Sequence, residues 1–219
     1  MSSLPSLPRI YLASTSPRRR DLLHQIGIEF DTLFFRSPPR DDEDVAEDAH
    51  PNEPPEDYVM RVAIAKAEGA QRRIVWRKLR RQAVLAADTT LDLDGEIIGK
   101  PEDAEDAARI LRRLSGREHR VLTAVVLADD KLFLQRLSIS TVRMREIRED
   151  EIAHYVDSGE PFGKAGAYGI QGRAAAFIAE IKGSYSGIMG LPLYETVELL
   201  HELAASQAGN SYAALRTAG

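Results

Sequence analysis

The segment from His119 to Arg145 (HRVLTAVVLADDKLFLQRLSISTVRMR) constrains the fold most. It contains two long runs of strand-forming residues, separated by the polar pair Asp129–Asp130. Two such runs around a short polar break predict a pair of adjacent antiparallel strands. A second, shorter hairpin is predicted at LDLDGEIIG, because Asp-Gly at 94–95 is a favourable two-residue turn. The centre of the chain therefore contributes neighbouring strands to one sheet.

Helical patterns alternate with further short strands along the rest of the chain. The predicted helices are EDYVMRVAIAKAEGAQRR, EDAEDAARILRRLSG, REDEIAHYVDSG and PLYETVELLHEL, and the further strands are RIYLAS, EFDTLFF, AVLAAD and a segment near AAFIAEI. AVLAAD is expected to end at its carboxylate, Asp88. This order predicts an α/β or α+β domain built on one mixed sheet. We expect a single domain over 9–204, followed by a small, polar, frayed tail at 205–219.

Composition excludes several classes of protein. The chain has 219 residues and no cysteine, which rules out disulfides, cysteine–zinc sites and thiol nucleophiles. No run approaches the roughly 18 apolar residues of a membrane span, and the first ten residues do not resemble a signal peptide. The formal net charge of −5 argues against a nucleic-acid partner. We expect a cytoplasmic protein without a membrane partner. His119 lies within a strand pattern, and a structural role is expected for it rather than a ligand role.

Charge is distributed unevenly along the chain. Residues 36–57 contain nine acids and five prolines, which is typical of a solvated loop. Residues 72–81 contain six basic residues around Trp76. That run is expected to be a solvated helix end, and the alternative is a local nucleic-acid patch on which Trp76 stacks.

The stretch YLASTSPRRRDLL poses an electrostatic problem. Ser16 suits the N-cap of a helix and Pro17 suits its first position. Three arginines, Arg18 to Arg20, follow immediately. A cation in the first helical turn is unfavourable by about 0.3–1 kcal/mol, because the helix dipole is positive there.

Other cations and carboxylates also stand at the edges of predicted elements. They are Lys66, Lys100 and Lys164, together with Glu47 and Asp88. If the cations converge, they suit the oxygens of a polyphosphate. Carboxylates beside them suit Mg²⁺, which favours a few carboxylates together with substrate phosphates. Taken singly, each lysine or arginine is equally well explained by a surface ion pair.

Several motifs along the sequence resemble those of the Maf family of nucleoside-triphosphate pyrophosphatases. The matching motifs are LASTSPRRRDLL at 12–23, DVAED at 44–48, RVAIAKA at 61–67, AADTT at 86–90, DGEIIGKP at 94–101, LSGREHRVLTAV at 114–125, KAGAYGIQG at 164–172 and GSYSGIMGLPLYET at 183–196. The resemblance implies an α/β fold like that of inosine triphosphatase, with a long mixed sheet, flanking helices and a deep cleft between two lobes. It also implies hydrolysis of the α–β phosphate bond with a divalent metal, Mg²⁺ or Mn²⁺.

The resemblance assigns roles residue by residue. It places Ser16, Arg18, Arg19, Lys66 and Lys100 at the substrate phosphates, with Lys164 as a further candidate, and it places Glu47 and Asp88 at the metal. A bound triphosphate would then offset the repulsion at the helix start. Asp88 is the expected general base, and the same side chain can also act as a metal ligand.

Substrate choice follows from the same resemblance. Arg18, Thr89 and Gln171 match the branch of the family that acts on dTTP and UTP, and a glutamine amide can pair with the edge of uracil or thymine. Two alternatives stay open. One is a pyrophosphatase for 7-methyl-GTP or for a broader range of nucleotides. The other is a non-catalytic nucleotide sensor that restrains septum formation. The expected partner is a nucleoside triphosphate, and a homodimer is compatible with the sequence.

Overall fold

The computed structural model describes residues 7–33 and 47–217, with side chains as far as Ala208. The part of the predicted acidic loop at 36–46 lies outside the described residues. The strands are β1 (Ile10–Leu12), β2 (Phe30–Thr32), β3 (Val84–Leu93), β4 (Glu96–Ile98), β5 (Glu118–Ala128), β6 (Phe133–Met144) and β7 (Ile178–Lys182). The helices are α1 (Pro17–Gln25), α2 (Pro55–Trp76), α3 (Ala104–Leu114), α4 (Glu149–Asp157), α5 (Tyr185–Met189) and α6 (Leu193–Thr217).

The described strands form one seven-stranded mixed sheet. The strand order is β2-β1-β3-β5-β6-β7, and β4 pairs with β3 outside this path. Strand β1 runs parallel to both β2 and β3, whereas the other neighbours are antiparallel. The predicted hairpin is confirmed, since β5 and β6 pair in register from Glu118–Arg143 to Ala128–Phe133. The predicted mixed α/β sheet with flanking helices is confirmed as well.

Alternation along β3 sends successive side chains to opposite faces of the sheet. Leu85 and Ala87 pack into one cluster with α1 and α6, and Val84 and Ala86 pack into another with α2. A third cluster lies at the far end of β3 and β5. It joins Leu91 and Val121 to residues of α3 and α4. The core is therefore divided along the length of β3.

Two predicted element boundaries are corrected by the structure. Strand β3 does not end at Asp88 but continues to Leu93. The reason is that Thr89 and Thr90 are β-branched and that pairing with β5 extends to Asp92. Helix α6 continues to Thr217, through most of the tail that the sequence predicts to fray. Alanine and leucine in SYAALRT have high helix propensity, which favours this extension.

One edge of β3 lacks a neighbouring strand over its middle residues. Strand β1 pairs with β3 only at Val84 and Leu85, and β4 begins to pair at Leu91. The chain leaves β1 through Ala13, whose N–H donates to the Leu85 carbonyl at 2.9 Å, and then turns into α1. Residues 86–90 of β3 consequently border a gap in the sheet.

Of the helices in the described ranges, none combines the length and apolar character that a bilayer span requires.

Directly paired positions in the β5–β6 hairpin point to the same face of the sheet, so they test which part of that face the core covers. Leu122 of β5 is fully buried, whereas its partner Ile139 of β6 is 44% exposed. We expect Leu122→Ala to lower the free energy of unfolding by about 2–5 kcal/mol, because it leaves a cavity. The matched control Ile139→Ala should cost under about 1 kcal/mol. Urea unfolding followed by circular dichroism measures both free energies, and equal losses would contradict this difference in burial between the two positions.

Candidate active site

The gap beside β3 opens into a cavity of about 640 Å³. Every residue that the sequence analysis singled out for the site lines this one cavity: Ser16, Arg18, Arg19, Glu47, Lys66, Asp88, Thr89, Lys100, Lys164 and Gln171. They come from the start of α1, from α2, from the middle of β3 and from three loops. Tertiary structure thus brings together side chains that lie up to 155 positions apart in sequence.

Four charged side chains form an alternating chain along one wall of the cavity. The Lys66 Nζ lies 2.6 Å from an oxygen of Asp88 and 2.6 Å from Glu47 Oε1. The Lys100 Nζ contacts Glu47 Oε2 at 2.9 Å. Partial burial opposes ionisation of Glu47, but attraction and hydrogen bonds from the two lysines prevail and lower its pKa to about 2. The two carboxylates therefore neutralise the two lysines in the free protein.

The side chains of Asp88 and Thr89 point to opposite faces of the sheet, because the two residues are adjacent in strand β3. Asp88 shares the face of Val84 and Ala86, which is covered by α2, and this places it against Lys66. Thr89 points to the other face, where its hydroxyl lies 3.3 Å from an Arg19 nitrogen and 3.0 Å from the Thr123 hydroxyl.

The arginines at the start of α1 extend toward the end of α5. The Arg18 Nε donates to the Met189 carbonyl at 3.3 Å, and the Arg19 Nε donates to the Gly190 carbonyl at 2.7 Å. Carbonyls at a helix C-terminus carry partial negative charge, so this contact offsets part of the repulsion from the α1 dipole. The N-cap residue Ser16 makes no side-chain capping bond, which leaves its hydroxyl free for a ligand.

Both arginines differ from most surface arginines in the described part of the chain, which pair with a carboxylate. Within the described residues, Arg18 and Arg19 form no ion pair with a carboxylate; their partners are carbonyl and hydroxyl groups. Burial lowers the pKa of each guanidinium, and in Arg19 the attraction of Asp88 opposes this shift. Partly desolvated cations without an anionic partner are suited to bind a ligand that brings its own negative charge.

A glycine-rich loop at 163–173 forms another wall of the cavity. Lys164 and Gln171 both lie on it. The Lys164 ammonium donates to the backbone carbonyl of Glu160. Burial, together with repulsion from Arg18, lowers the pKa of Lys164. Gly166 has a φ of +71° and packs against Leu91 so closely that a Cβ would lie 2.1 Å from that side chain. The loop can therefore approach the sheet only with glycine at this position.

A separate part of the lining is apolar. Leu91, Val121, Tyr168 and Ile170 belong to one buried cluster, and Ile188 and Met189 pack against it. A cavity with one cationic wall and one apolar wall suits a ligand that is itself anionic at one end and flat or apolar at the other.

A divalent metal fits this donor set only if the ligand supplies further oxygens. Glu47 and Asp88 offer hard oxygen ligands, and both contact Lys66. Within residues 7–33 and 47–217, no cluster of three or more His, Cys, Asp or Glu side chains is arranged to hold a metal ion. Mg²⁺ commonly takes one or two protein carboxylates and completes its coordination with phosphates and water.

Comparison with known proteins identifies the family. The family model described as "Maf-like protein" matches residues 9–203. The chain belongs to the Maf-like protein family. A relative from Aromatoleum aromaticum named "dTTP/UTP pyrophosphatase" is 63% identical over 197 residues, which are 90% of this chain and 96% of the relative. A relative from Ralstonia nicotianae with the same name is 55% identical over 198 residues, 90% of this chain and 95% of the relative.

A solved structure is also similar to this Maf-like protein. "The structure of the Staphylococcus aureus Ham1 protein" matches with a TM-score of 0.42 and 19% identity, over 64% of this chain and 72% of that chain. A similarity this weak supports no conclusion about the present chain.

Several residues of the Maf-like site were not identified from the sequence. Ser14 contacts Arg19, Tyr168 lines the cavity, and Met189 and Gly190 accept from the arginines through their carbonyls. All four lie within the quoted motifs, so the motifs were the available signal. A carbonyl acceptor, however, has no residue-specific signature, because every residue carries one.

His119 supports the apolar wall from behind. It is buried, and its Nε2 lies 2.8 Å from the Tyr168 hydroxyl, whereas its Nδ1 has no hydrogen-bond partner in the structure. Burial lowers the pKa of His119 from 6.5 to about 4. The imidazole is therefore neutral at physiological pH, in keeping with the expected structural role.

The depressed pKa of His119 predicts a pH-dependent stability. The unfolded chain takes up a proton near pH 6.5 and the folded chain only near pH 4, so stability is complete above pH 6.5 and is lost as the pH falls toward 4. We expect His119 to account for about 2 kcal/mol of the loss between pH 7 and pH 5. His119→Gln should remove that part of the slope in urea unfolding. The exposed His201 gives the matched control, His201→Gln, and equal slopes in both variants would contradict the prediction.

Proposed function

We propose that this Maf-like protein hydrolyses the bond between the α- and β-phosphates of dTTP and UTP, releasing the nucleoside monophosphate and pyrophosphate. The observation that carries the proposal is the composition of the cavity. It contains two arginines without an ion-pair partner, two carboxylates bound to Lys66, an apolar wall and Gln171. The names of the relatives from Aromatoleum aromaticum and Ralstonia nicotianae support the same substrates.

The triphosphate binds where cations converge. Arg18, Arg19 and the free hydroxyl of Ser16 meet it at the start of α1, and Lys66 of α2 and Lys100 from the loop after β4 meet it as well, with Lys164 as a further cation. Charge-assisted bonds to phosphate oxygens are stronger than the carbonyl contacts that the arginines make in the free protein. The triphosphate therefore replaces Glu47 as the partner of the two lysines.

Release of Glu47 and Asp88 from the lysines prepares the site for the reaction. The freed carboxylates are the residues that would hold a divalent cation brought with the triphosphate. The bound metal would polarise phosphate oxygens and lower the pKa of water. Asp88 accepts the proton of the attacking water as the water oxygen bonds to one of the two phosphorus atoms of the α–β linkage. The bond from that phosphorus to the bridging oxygen breaks, and the bridging oxygen leaves with the other phosphate group.

Selectivity for pyrimidines is assigned to Arg18, Thr89 and Gln171. The Gln171 amide offers one donor and one acceptor, as the edge of uracil or thymine requires. Arg18 and Thr89 act beside it from α1 and β3. Because the Thr89 hydroxyl lies against Arg19, we assign Thr89 the further task of holding that guanidinium in place.

The direct test of the proposed function is a product assay. Purified protein with Mg²⁺ or Mn²⁺ is expected to release pyrophosphate from dTTP and UTP faster than from other nucleoside triphosphates, and chelation with EDTA should abolish the release. Ion chromatography distinguishes pyrophosphate from orthophosphate. Orthophosphate as the first product would contradict cleavage at the α–β bond. Preferential turnover of 7-methyl-GTP would favour the alternative substrate, and binding without turnover would favour a sensor.

The role of Asp88 is tested by a nearly isosteric substitution. Asp88→Asn is expected to lower kcat by about 10²-fold or more, because the amide cannot accept the proton. Dissociation constants for a non-hydrolysable dTTP analogue should change far less. Glu47→Gln is the comparison, since it alters the other carboxylate on Lys66. A normal kcat in Asp88→Asn with a collapse in Glu47→Gln would move the base to Glu47.

A further inference from the structure

Gln171 occupies a defined place in a tight turn. The Gly172 N–H donates to the Gly169 carbonyl at 3.0 Å, which closes a four-residue turn with Gln171 as its third residue. The rotation of this turn decides where the amide of Gln171 points. Any group that fixes both ends of the turn therefore fixes the direction of the amide.

A tyrosine and a glutamate hold both ends of the turn from outside the cavity. The buried Tyr155 of α4 accepts the Gly169 N–H at 3.3 Å and donates to Glu160 Oε1 at 3.0 Å. The other oxygen of Glu160 accepts the Arg173 N–H at 3.0 Å. One continuous hydrogen-bonded path thus connects the first residue of the turn with the residue that follows it.

Gly172 leaves the space that this path requires. A Cβ at this position would lie 2.2 Å from Glu160 Oε1. The backbone of Gly172 is extended, with a φ of −106°, so the conformation alone does not demand glycine. Glycine is required instead because the Glu160 carboxylate occupies the space that a side chain would need.

We propose that Tyr155 and Glu160 are positioning residues for substrate selection: through Gly169 and Arg173 they hold the turn that presents Gln171 to the nucleobase. Neither residue lines the cavity, and neither contacts Arg18, Arg19, Lys66 or Lys100. Glu160 contacts Lys164 through its backbone carbonyl and not through the carboxylate that holds the turn. The proposal rests on the proposed function, because it takes Gln171 as the contact with the base. It separates selection of the base from binding of the phosphates.

Two variants disturb the path from different sides. Tyr155→Phe removes only the hydroxyl, and Gly172→Ala displaces the Glu160 carboxylate without altering Tyr155 or Glu160 itself. The matched control is Tyr194→Phe, because the exposed Tyr194 also donates to a glutamate, Glu198, at 2.8 Å, on α6 and outside the cavity. Thermal unfolding of all three variants establishes that they are folded.

The readout compares a ligand that has a base with one that has none. We expect Tyr155→Phe and Gly172→Ala each to lower kcat/KM for dTTP and UTP about 10-fold, the cost of a polar group left unpaired. The preference for dTTP over GTP should narrow. The inhibition constant of inorganic tripolyphosphate, which has phosphates only, should stay within about twofold of wild type. The double variant should lose little more than either single one, because both break the same path.

Other outcomes overturn the proposal. A proportional loss for dTTP and tripolyphosphate would show that the path supports the whole site, and unchanged selectivity in folded variants would show that the turn does not need it. The same holds if Tyr194→Phe loses as much as Tyr155→Phe. Failure of the proposed function is distinguishable, since wild-type protein would then release no pyrophosphate from dTTP or UTP.

Discussion

The site depends on unequal pairing along the two edges of β3. One edge pairs with β5 without interruption from Val84 to Asp92. The other edge is paired only near its ends, by β1 and by β4. The gap between them admits the start of α1 and leaves room for a ligand. A strand that is fully paired along one edge and unpaired along part of the other can present charged side chains to a cavity while it stays part of the sheet.

Balanced charge makes that cavity tolerable in the free protein. Lys66 lies between Asp88 and Glu47, and Lys100 shares Glu47, so two negative and two positive groups compensate each other. Removing one member of a partly buried pair leaves the other uncompensated, which is costly. The proposed triphosphate, entering with a divalent cation, would add a net negative charge that Arg18 and Arg19, which lack an ion pair in the free protein, would offset. The free site therefore already has the arrangement of charges that exchange with such a ligand requires.

The motifs of the sequence were sufficient to predict the family, and the family model over 9–203 confirms that prediction. They were also sufficient to select ten side chains that line one cavity. Their contacts were not predictable in the same way. Whether Arg18 meets a phosphate or the Met189 carbonyl depends on where α5 ends, 171 residues away, and no local pattern encodes such a distance.

The sequence by itself determined the elements and the chemistry available to them. The two strand-forming runs of the β5–β6 segment, the Asp94–Gly95 turn and the cations at the edges of predicted elements follow from local rules of geometry and charge. Tertiary structure alone decided that β3 runs past Asp88, because that depends on the partner strand β5. It also decided that Asp88 and Thr89 serve opposite faces and that Tyr155 braces the turn of Gln171. These are relations between distant segments, and only packing of the complete chain sets them.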